Sequence, residues 1–254
     1  MGKKSRLIIV GNWKMYKTAR EAEVYVAALI PQISSSARVL LAVPFTALHA
    51  ASAASRKSSI QVGAQNMHDA PEGAFTGEIS AGMLKEAGAQ FVLLGHSERR
   101  SYFQETSAFI NRKVKRALAE GLTPIVCVGE SEKEREAGKT EEILLSQLSE
   151  SLTGLTVQEL EKIHIAYEPV WAIGTGKTAT PEIADAAHLI CRNFLKEKCG
   201  ALVAEKIAIL YGGSVKPESA NALLSMPNID GALVGGAALD PSVFAQIINS
   251  GQTV

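Results

Sequence analysis

The residues best suited to chemistry fall in five short segments, each directly after an apolar run. The most distinctive is Tyr167-Glu168-Pro169-Val170-Trp171-Ala172-Ile173-Gly174-Thr175-Gly176. A carboxylate facing the apolar Val170–Ile173 stretch should lose hydration, which raises its pKa toward that of a base able to take a proton from carbon. Gly174 and Gly176 read as a hinge, and the segment through Ala179 as a lid. A second segment, Gly95-His96-Ser97-Glu98-Arg99-Arg100, sets an imidazole beside a carboxylate and two guanidiniums. In Gly11-Asn12-Trp13-Lys14, an ammonium beside an amide could hold a phosphate and a polarised carbonyl. Finally, Gly212-Gly213-Ser214 and Gly235-Gly236 allow close backbone approach to a ligand, and their N–H groups could cradle an anion.

Two nucleotide motifs compete for the lid. Gly176-Lys177-Thr178 resembles the end of a phosphate-binding P-loop, but the required first glycine falls at Trp171. Gly174-x-Gly176-x-x-Ala179 fits a loose dinucleotide fingerprint, without any accompanying cofactor feature.

These segments need elements to position them. Near-continuous apolar runs predict strands at Leu7–Gly11, Val39–Val43, Ile60–Ala64, Phe91–Leu94, Pro124–Val128, Ile163–Tyr167, Ile207–Tyr211 and Gly231–Val234. Amphipathic stretches predict helices at Ala19–Leu29, Ala47–Ala54, Ile79–Ala87, Ser107–Ala119, Glu141–Ser151, Pro181–Lys196, Pro217–Leu224 and Pro241–Ile248. Thr18 and Glu21 form a capping box, and Thr180-Pro181 and Asp240-Pro241 place a cap before a first-turn proline. Such alternation fits an open doubly wound sheet or a closed barrel. The first and last strands are as apolar as the middle ones, which favours an α/β fold with one (β/α)₈ barrel over residues 1–254. All five chemical segments then lie at C-terminal strand ends, where such barrels carry their sites, and phosphate sites commonly form after strands seven and eight.

Lys+Arg and Asp+Glu both number 26 among 254 residues, a balance that disfavours nucleic-acid or membrane-surface partners. Cys127, Cys191 and Cys199 have no disulfide or zinc spacing, and imply reduced thiols in a cytoplasmic protein. The basic start Met1–Arg6 precedes too short an apolar run for a signal peptide, Gly2 lacks the Ser or Thr that myristoylation expects at position six, and no run reaches membrane-spanning length.

Taken together in this order, Asn12-x-Lys14, Gly95–Arg100, Ala166–Gly176, Tyr211–Ser214 and Leu233–Gly236 resemble the signatures of the triosephosphate isomerase family. The resemblance implies interconversion of dihydroxyacetone phosphate and glyceraldehyde 3-phosphate, without metal or cofactor. It implies Glu168 as the base, neutral His96 as the electrophile, and Lys14 and Asn12 as stabilisers of developing negative charge. It also implies a substrate site comprising Asn12, Trp13, Lys14, Gly174, Ser214, Gly235 and Gly236. Glu98 resembles the family's glutamate beside the site, as proton relay or structural partner. The long connection Asn66–Glu78, with apolar Met67, Ala74 and Phe75, resembles the loop that inserts into a neighbouring subunit, implying a homodimer.

Three other readings fit parts of the pattern: a Schiff-base aldolase using Lys14, a retaining glycosidase using Glu98 and Glu168, and an inactive scaffold. At 6% aromatic the chain is poorly provided with sugar-stacking surfaces, and it retains both base and electrophile.

Overall fold

In the computed structural model, which describes residues 7–175 and 177–251, strand β1 (Ile8–Asn12) pairs in parallel with β2 (Arg38–Val43) on one side. On its other side it pairs in parallel with β8 (Gly231–Val234), so the sheet has no edge. Between them run β3 (Gln61–Ala64), β4 (Phe91–Leu94), β5 (Thr123–Val128), β6 (His164–Tyr167) and β7 (Ile209–Tyr211), each beside its sequence neighbour in a closed eight-stranded barrel. At the β1–β8 seam the backbones approach so closely that a Cβ on Gly231 would collide with the carbonyl of Ile8. Among the expectations above, the basic start Met1–Arg6 and the hinge glycine Gly176 lie outside the described residues.

Alternation along each strand divides the core in two. Side chains such as Val10, Leu40, Leu93, Ile125 and Leu210 fill the barrel, whereas Ile9, Leu41, Val92, Val126 and Ile165 face outward under the helices. Each such fully buried aliphatic side chain contributes roughly 1.5–3 kcal/mol relative to exposure. The interior is packed, which leaves the strand ends as the places for chemistry.

The capping expectations hold. Thr18 and Glu21 exchange bonds at the start of helix Ala19–Leu29, and Thr180 and Asp240 cap helices that begin at Pro181 and Pro241. Several boundaries differ from the sequence reading. Ile163 and Ile207 spend their N–H groups on preceding helical turns, donating to Leu160 O and Ala204 O at 3.3 Å, so β6 and β7 begin later than expected. Short helices at Ser97–Tyr102, Glu132–Glu136, Val157–Leu160 and Ala201–Ala204 were not anticipated.

Candidate active site

Five strand ends bring the chemistry together. Glu168 directly follows β6 and is almost wholly buried, with 1% exposed. Its Oε1 lies 2.9 Å from His96 Nε2, and its Oε2 accepts the Ser97 backbone N–H at 2.9 Å. The Ser97 hydroxyl donates to Oε1 at 3.3 Å. Gly212 makes room for this side chain, since a Cβ there would stand 2.8 Å from Glu168 Cγ, and Gly129 makes room for the Glu168 backbone carbonyl.

The environment corrects the expected pKa. Burial alone would raise the Glu168 pKa, the direction anticipated from its apolar neighbours. The facing imidazole, the Ser97 N–H and the Lys14 charge outweigh it, and the carboxyl is held below its ordinary value. The apolar stretch that follows Glu168 is therefore not what sets its acidity in this state.

His96 ends the turn after β4 and caps the helix Ser97–Tyr102. Its Nδ1 accepts the Glu98 backbone N–H at 3.3 Å, so Nδ1 is bare and the proton of the neutral ring sits on Nε2, toward Glu168. Burial pulls the imidazole pKa down, but the charge of Glu168 at hydrogen-bond distance more than reverses this and leaves it raised. The expected guanidinium neighbours turn away: Arg99 donates to Glu105 at 2.6 Å, and Arg100 donates to the carbonyls of Gly95 at 2.9 Å and Cys127 at 3.0 Å.

Lys14 sits just past β1 with φ of 51°, a left-handed conformation that a lysine adopts only when its surroundings impose it. Asn12 Oδ1 accepts the Lys14 N–H at 3.0 Å. Gln65 adds three bonds from its side-chain amide, to Lys14 O at 2.9 Å, Ala42 O at 3.1 Å and Asn12 Oδ1 at 3.3 Å. With two donors on its oxygen, Asn12 keeps its own amide N–H groups for other partners. The Lys14 ammonium meets Glu98 at 2.5 Å, and Glu98 Oε2 lies 3.6 Å from His96 Nδ1.

Asn12, Trp13, Lys14, His96, Glu98, Gly174, Ser214, Gly235 and Gly236 all line one cavity of about 620 Å³ at the C-terminal mouth of the barrel. Trp13 contributes differently from the others, because its indole is fully buried and packs edge-on against Tyr25 at 4.8 Å. The glycine signal also divides. Gly235 and Gly236 border the cavity at the start of a short helical turn, Gly236–Leu239, whereas a Cβ on Gly213 would strike the Tyr211 hydroxyl.

The segment expected to act as a lid leaves β6 and borders this mouth with Ala172, Ile173 and Gly174. Val170–Ala172 forms one helical turn, Gly174 has φ of 70°, and Ile173 lines the cavity. Trp171 donates from Nε1 to Glu130 Oε1 at 2.9 Å, the same oxygen that accepts the Tyr167 hydroxyl at 3.0 Å, and Arg135 lies 4.5 Å over the indole. Lys177 pairs with Glu132. Sequence reasoning did not single out Gln65 or Glu130, and it took in Ser97 and Tyr211 only as members of their segments, with no role of their own. Ser131-x-x-Glu134, a capping box just after Glu130, could have drawn attention to that turn.

Next to the cavity lies a smaller groove of about 260 Å³, bordered by Met15, Phe45, Tyr102 and Phe103. Of these, Met15 is 94% and Tyr102 76% exposed. Residues 66–78 form neither helix nor strand, and although Met67 is buried, positions 71–78 are exposed. Among the described residues, no helix is long and apolar enough to cross a membrane, and no group of three or more His, Cys, Asp or Glu is placed to hold a metal ion.

A closed parallel barrel whose mouth gathers a buried carboxylate, an imidazole, an ammonium and glycine turns defines an enzyme of the (β/α)₈ class acting on a small polar molecule. Residues 7–251 match the family model described as triosephosphate isomerase. A protein named triosephosphate isomerase from Protochlamydia amoebophila is 53% identical over 249 residues, covering 98% of this chain and 94% of the relative. Relatives of the same name from Solibacter usitatus and Fusobacterium nucleatum subsp. nucleatum are 53% and 49% identical, covering 95% and 97% of this chain and 98% and 99% of their own lengths. The chain belongs to the triosephosphate isomerase family.

Proposed function

We infer that the protein interconverts dihydroxyacetone phosphate and D-glyceraldehyde 3-phosphate by proton transfer through an enediolate, in glycolysis and gluconeogenesis, the whole chain acting as one barrel domain. The observation that carries this reading is the convergence of Glu168, His96 and Lys14 at the same mouth as the Gly235-Gly236 turn. A carbon acid is weak, so its ionisation needs a placed base, an electrophile, charge stabilisation and exclusion of water.

In this reading the Glu168 carboxylate leaves Ser97, enters the cavity and takes the carbon-bound proton beside the carbonyl. The electron pair moves to the carbonyl oxygen, which receives hydrogen bonds from His96 Nε2 and the Asn12 amide and faces the Lys14 charge. Once Glu168 has left, burial and the N-terminus of helix Ser97–Tyr102 both favour the neutral ring, the form that polarises without being consumed as an acid. Glu98 holds the Lys14 ammonium against the cavity wall. Backbone N–H groups of Gly174, Ser214, Gly235 and Gly236 receive the phosphate, and Trp13 serves through its backbone. Closure of Pro169–Ala179 then removes water, which strengthens each electrostatic contact. No metal or cofactor enters this chemistry.

We further propose a cytoplasmic homodimer, without nucleic-acid or membrane partners, in which loop 66–78 of one subunit enters the groove beside Lys14 of the other. The exposed Met15, Tyr102, Phe103 and Phe75 supply apolar surface for that contact. A coupled assay with glyceraldehyde 3-phosphate tests the activity, and turnover at a triosephosphate isomerase's rate is the expected result. Reductive trapping of a covalent Lys14–substrate adduct would instead indicate the aldolase.

A further inference from the structure

The loop after β1 holds a second lysine in an uncommon conformation. Lys17 has φ of 74°, and among the described residues only Lys14 and Gln104 share a positive φ without being glycine. Such a backbone persists where its surroundings over-determine it, and it is concentrated at functional sites. Two left-handed lysines in one short loop therefore call for two causes.

The cause for Lys17 lies across the β1–β8 seam. Its side chain is half-buried, and its Nζ donates to Leu239 O at 2.8 Å. The ammonium stands 4.8 Å from the centroid of the Tyr25 ring and 5.6 Å from that of Trp13, two rings that pack edge-on into a corner around the cation. Tyr25 is 3% exposed on helix Ala19–Leu29, and its hydroxyl donates to Ala238 O at 2.7 Å. Ala238 and Leu239 close the turn Gly236–Leu239, while Gly235 and Gly236 at its start border the catalytic cavity.

One end of this turn thus faces the cavity, and both carbonyls at its other end are held by side chains from the β1 side. The turn also sits tightly on β1, since a Cβ on Gly11 would stand 3.1 Å from Ala238 Cβ. So short a turn makes few bonds of its own, and its orientation follows from what grips its ends. Pairing of Lys17 with surface carboxylates is the lesser effect. The Glu21 and Asp240 carboxyls are held below their ordinary values chiefly by hydrogen bonds from Thr18 and Ser242, with the Lys17 charge contributing least.

We propose that Lys17 is a positioning residue for the phosphate site. Together with Tyr25 it clamps the Gly236–Leu239 turn to the loop that carries Lys14, so the Gly235 and Gly236 N–H groups stand at a fixed place relative to the Lys14 ammonium. This rests on the isomerase reading above and adds to it how the two ends of one substrate are held in register. Trp13, whose indole lies outside the cavity, serves as a wall of the clamp. Misplacement by about 1 Å between the two ends would cost on the order of 10²-fold in rate.

The test compares Lys17→Met with the wild type on glyceraldehyde 3-phosphate, on glyceraldehyde without its phosphate, and for binding of inorganic phosphate by calorimetry. The expected result is a rise of about tenfold in KM for the phosphorylated substrate and in Kd for phosphate, the scale of losing a charged hydrogen-bond donor. The kcat/KM for unphosphorylated glyceraldehyde should change little. Lys17→Arg, which keeps the cation, should restore most of the loss, and Tyr25→Phe should reproduce it in milder form. Equal losses on both substrates would make Lys17 a general structural residue and overturn the proposal, as would unchanged phosphate affinity in Lys17→Met or a wild type that binds no phosphate. A wild type that bound phosphate without isomerising would strike the isomerase reading instead, and the calorimetric comparison would still decide the role of Lys17.

Discussion

Ser97 donates to both oxygens of the Glu168 carboxylate, from its backbone N–H at 2.9 Å and from its hydroxyl at 3.3 Å. This holds the carboxylate against the wall of the site, and the proposed mechanism exchanges these bonds for the substrate proton. The reach of the side chain therefore matters as much as its charge. Glu168→Asp shortens it by one methylene, roughly 1 Å, and misplacement on that scale costs on the order of 10²-fold in rate. Steady-state kinetics should show the loss in kcat with a smaller change in KM; near-normal kcat would remove Glu168 from the mechanism.

The Glu168–His96 contact sets a pH dependence. Glu168 has a lowered pKa, so its basic form persists below the ordinary carboxylate value and activity is lost only as pH falls through that depressed value. Replacing the imidazole by His96→Asn removes the largest lowering influence, leaving burial to raise the pKa. The acid limb of residual kcat/KM should then move to higher pH. A limb that stayed in place would show that another group governs it.

In the proposed mechanism Lys14 supplies positive charge where the enediolate develops. Lys14→Met should lower kcat/KM by at least the 10²–10³-fold typical of losing one oxyanion donor. Glu98→Gln, which keeps the shape but weakens the hold on Lys14, should have a smaller effect. Equal losses for the two variants would assign Glu98 a direct part in proton movement.

Acid should weaken the fold through its buried imidazoles. His188 is wholly buried between the rings of Tyr167 and Tyr211, and burial pushes its pKa down to about 3. Below its ordinary value of 6.5 the unfolded chain takes up a proton that the folded chain refuses until about pH 3, so stability falls as pH drops through that window. Thermal melts between neutral and mildly acidic pH should show that slope. His188→Gln should reduce it while lowering stability at neutral pH.

Shortening the lid between Pro169 and Ala179, with Glu168 spared, should leave proton abstraction partly intact. An enediolate exposed to water beside a phosphate-bearing carbon can expel that phosphate, giving inorganic phosphate and methylglyoxal. Activity lost without any rise in these products would make the lid a positioning element alone. For assembly, sedimentation of the intact chain should give a dimer at micromolar concentration, and a fully active monomer would refute it.

The sequence disclosed the barrel because buried parallel strands are nearly continuous apolar runs, and because its first and last strands show no edge character. It missed the short helices at Glu132–Glu136 and Val157–Leu160, although the Ser131/Glu134 and Thr156/Glu159 capping boxes mark both starts. Single turns bury too little to leave a periodic apolar pattern. In the site, Glu168, His96 and Lys14 were legible from their strand-end positions. What holds them was not, since Gln65 reaches Lys14 across 51 positions and Ser97 reaches Glu168 across 71. Pairings of that kind exist only once the barrel has closed. The Glu168 pKa was misread for the same reason: neighbours in sequence are apolar, whereas neighbours in space carry charge and N–H groups.

The seam between Ile8–Gly11 and Gly231–Val234 has a consequence for biosynthesis. One flank of β1 stays without its partner until β8, the last strand of the barrel, has been made. Every nascent intermediate shorter than that exposes an apolar strand with unpaired N–H and C=O groups, the kind of surface that recruits other chains. Productive folding therefore waits on the synthesis of β8. Truncations before Gly231 should partition to chaperones or aggregates rather than accumulate as smaller barrels, however sound the packing of the strands already made.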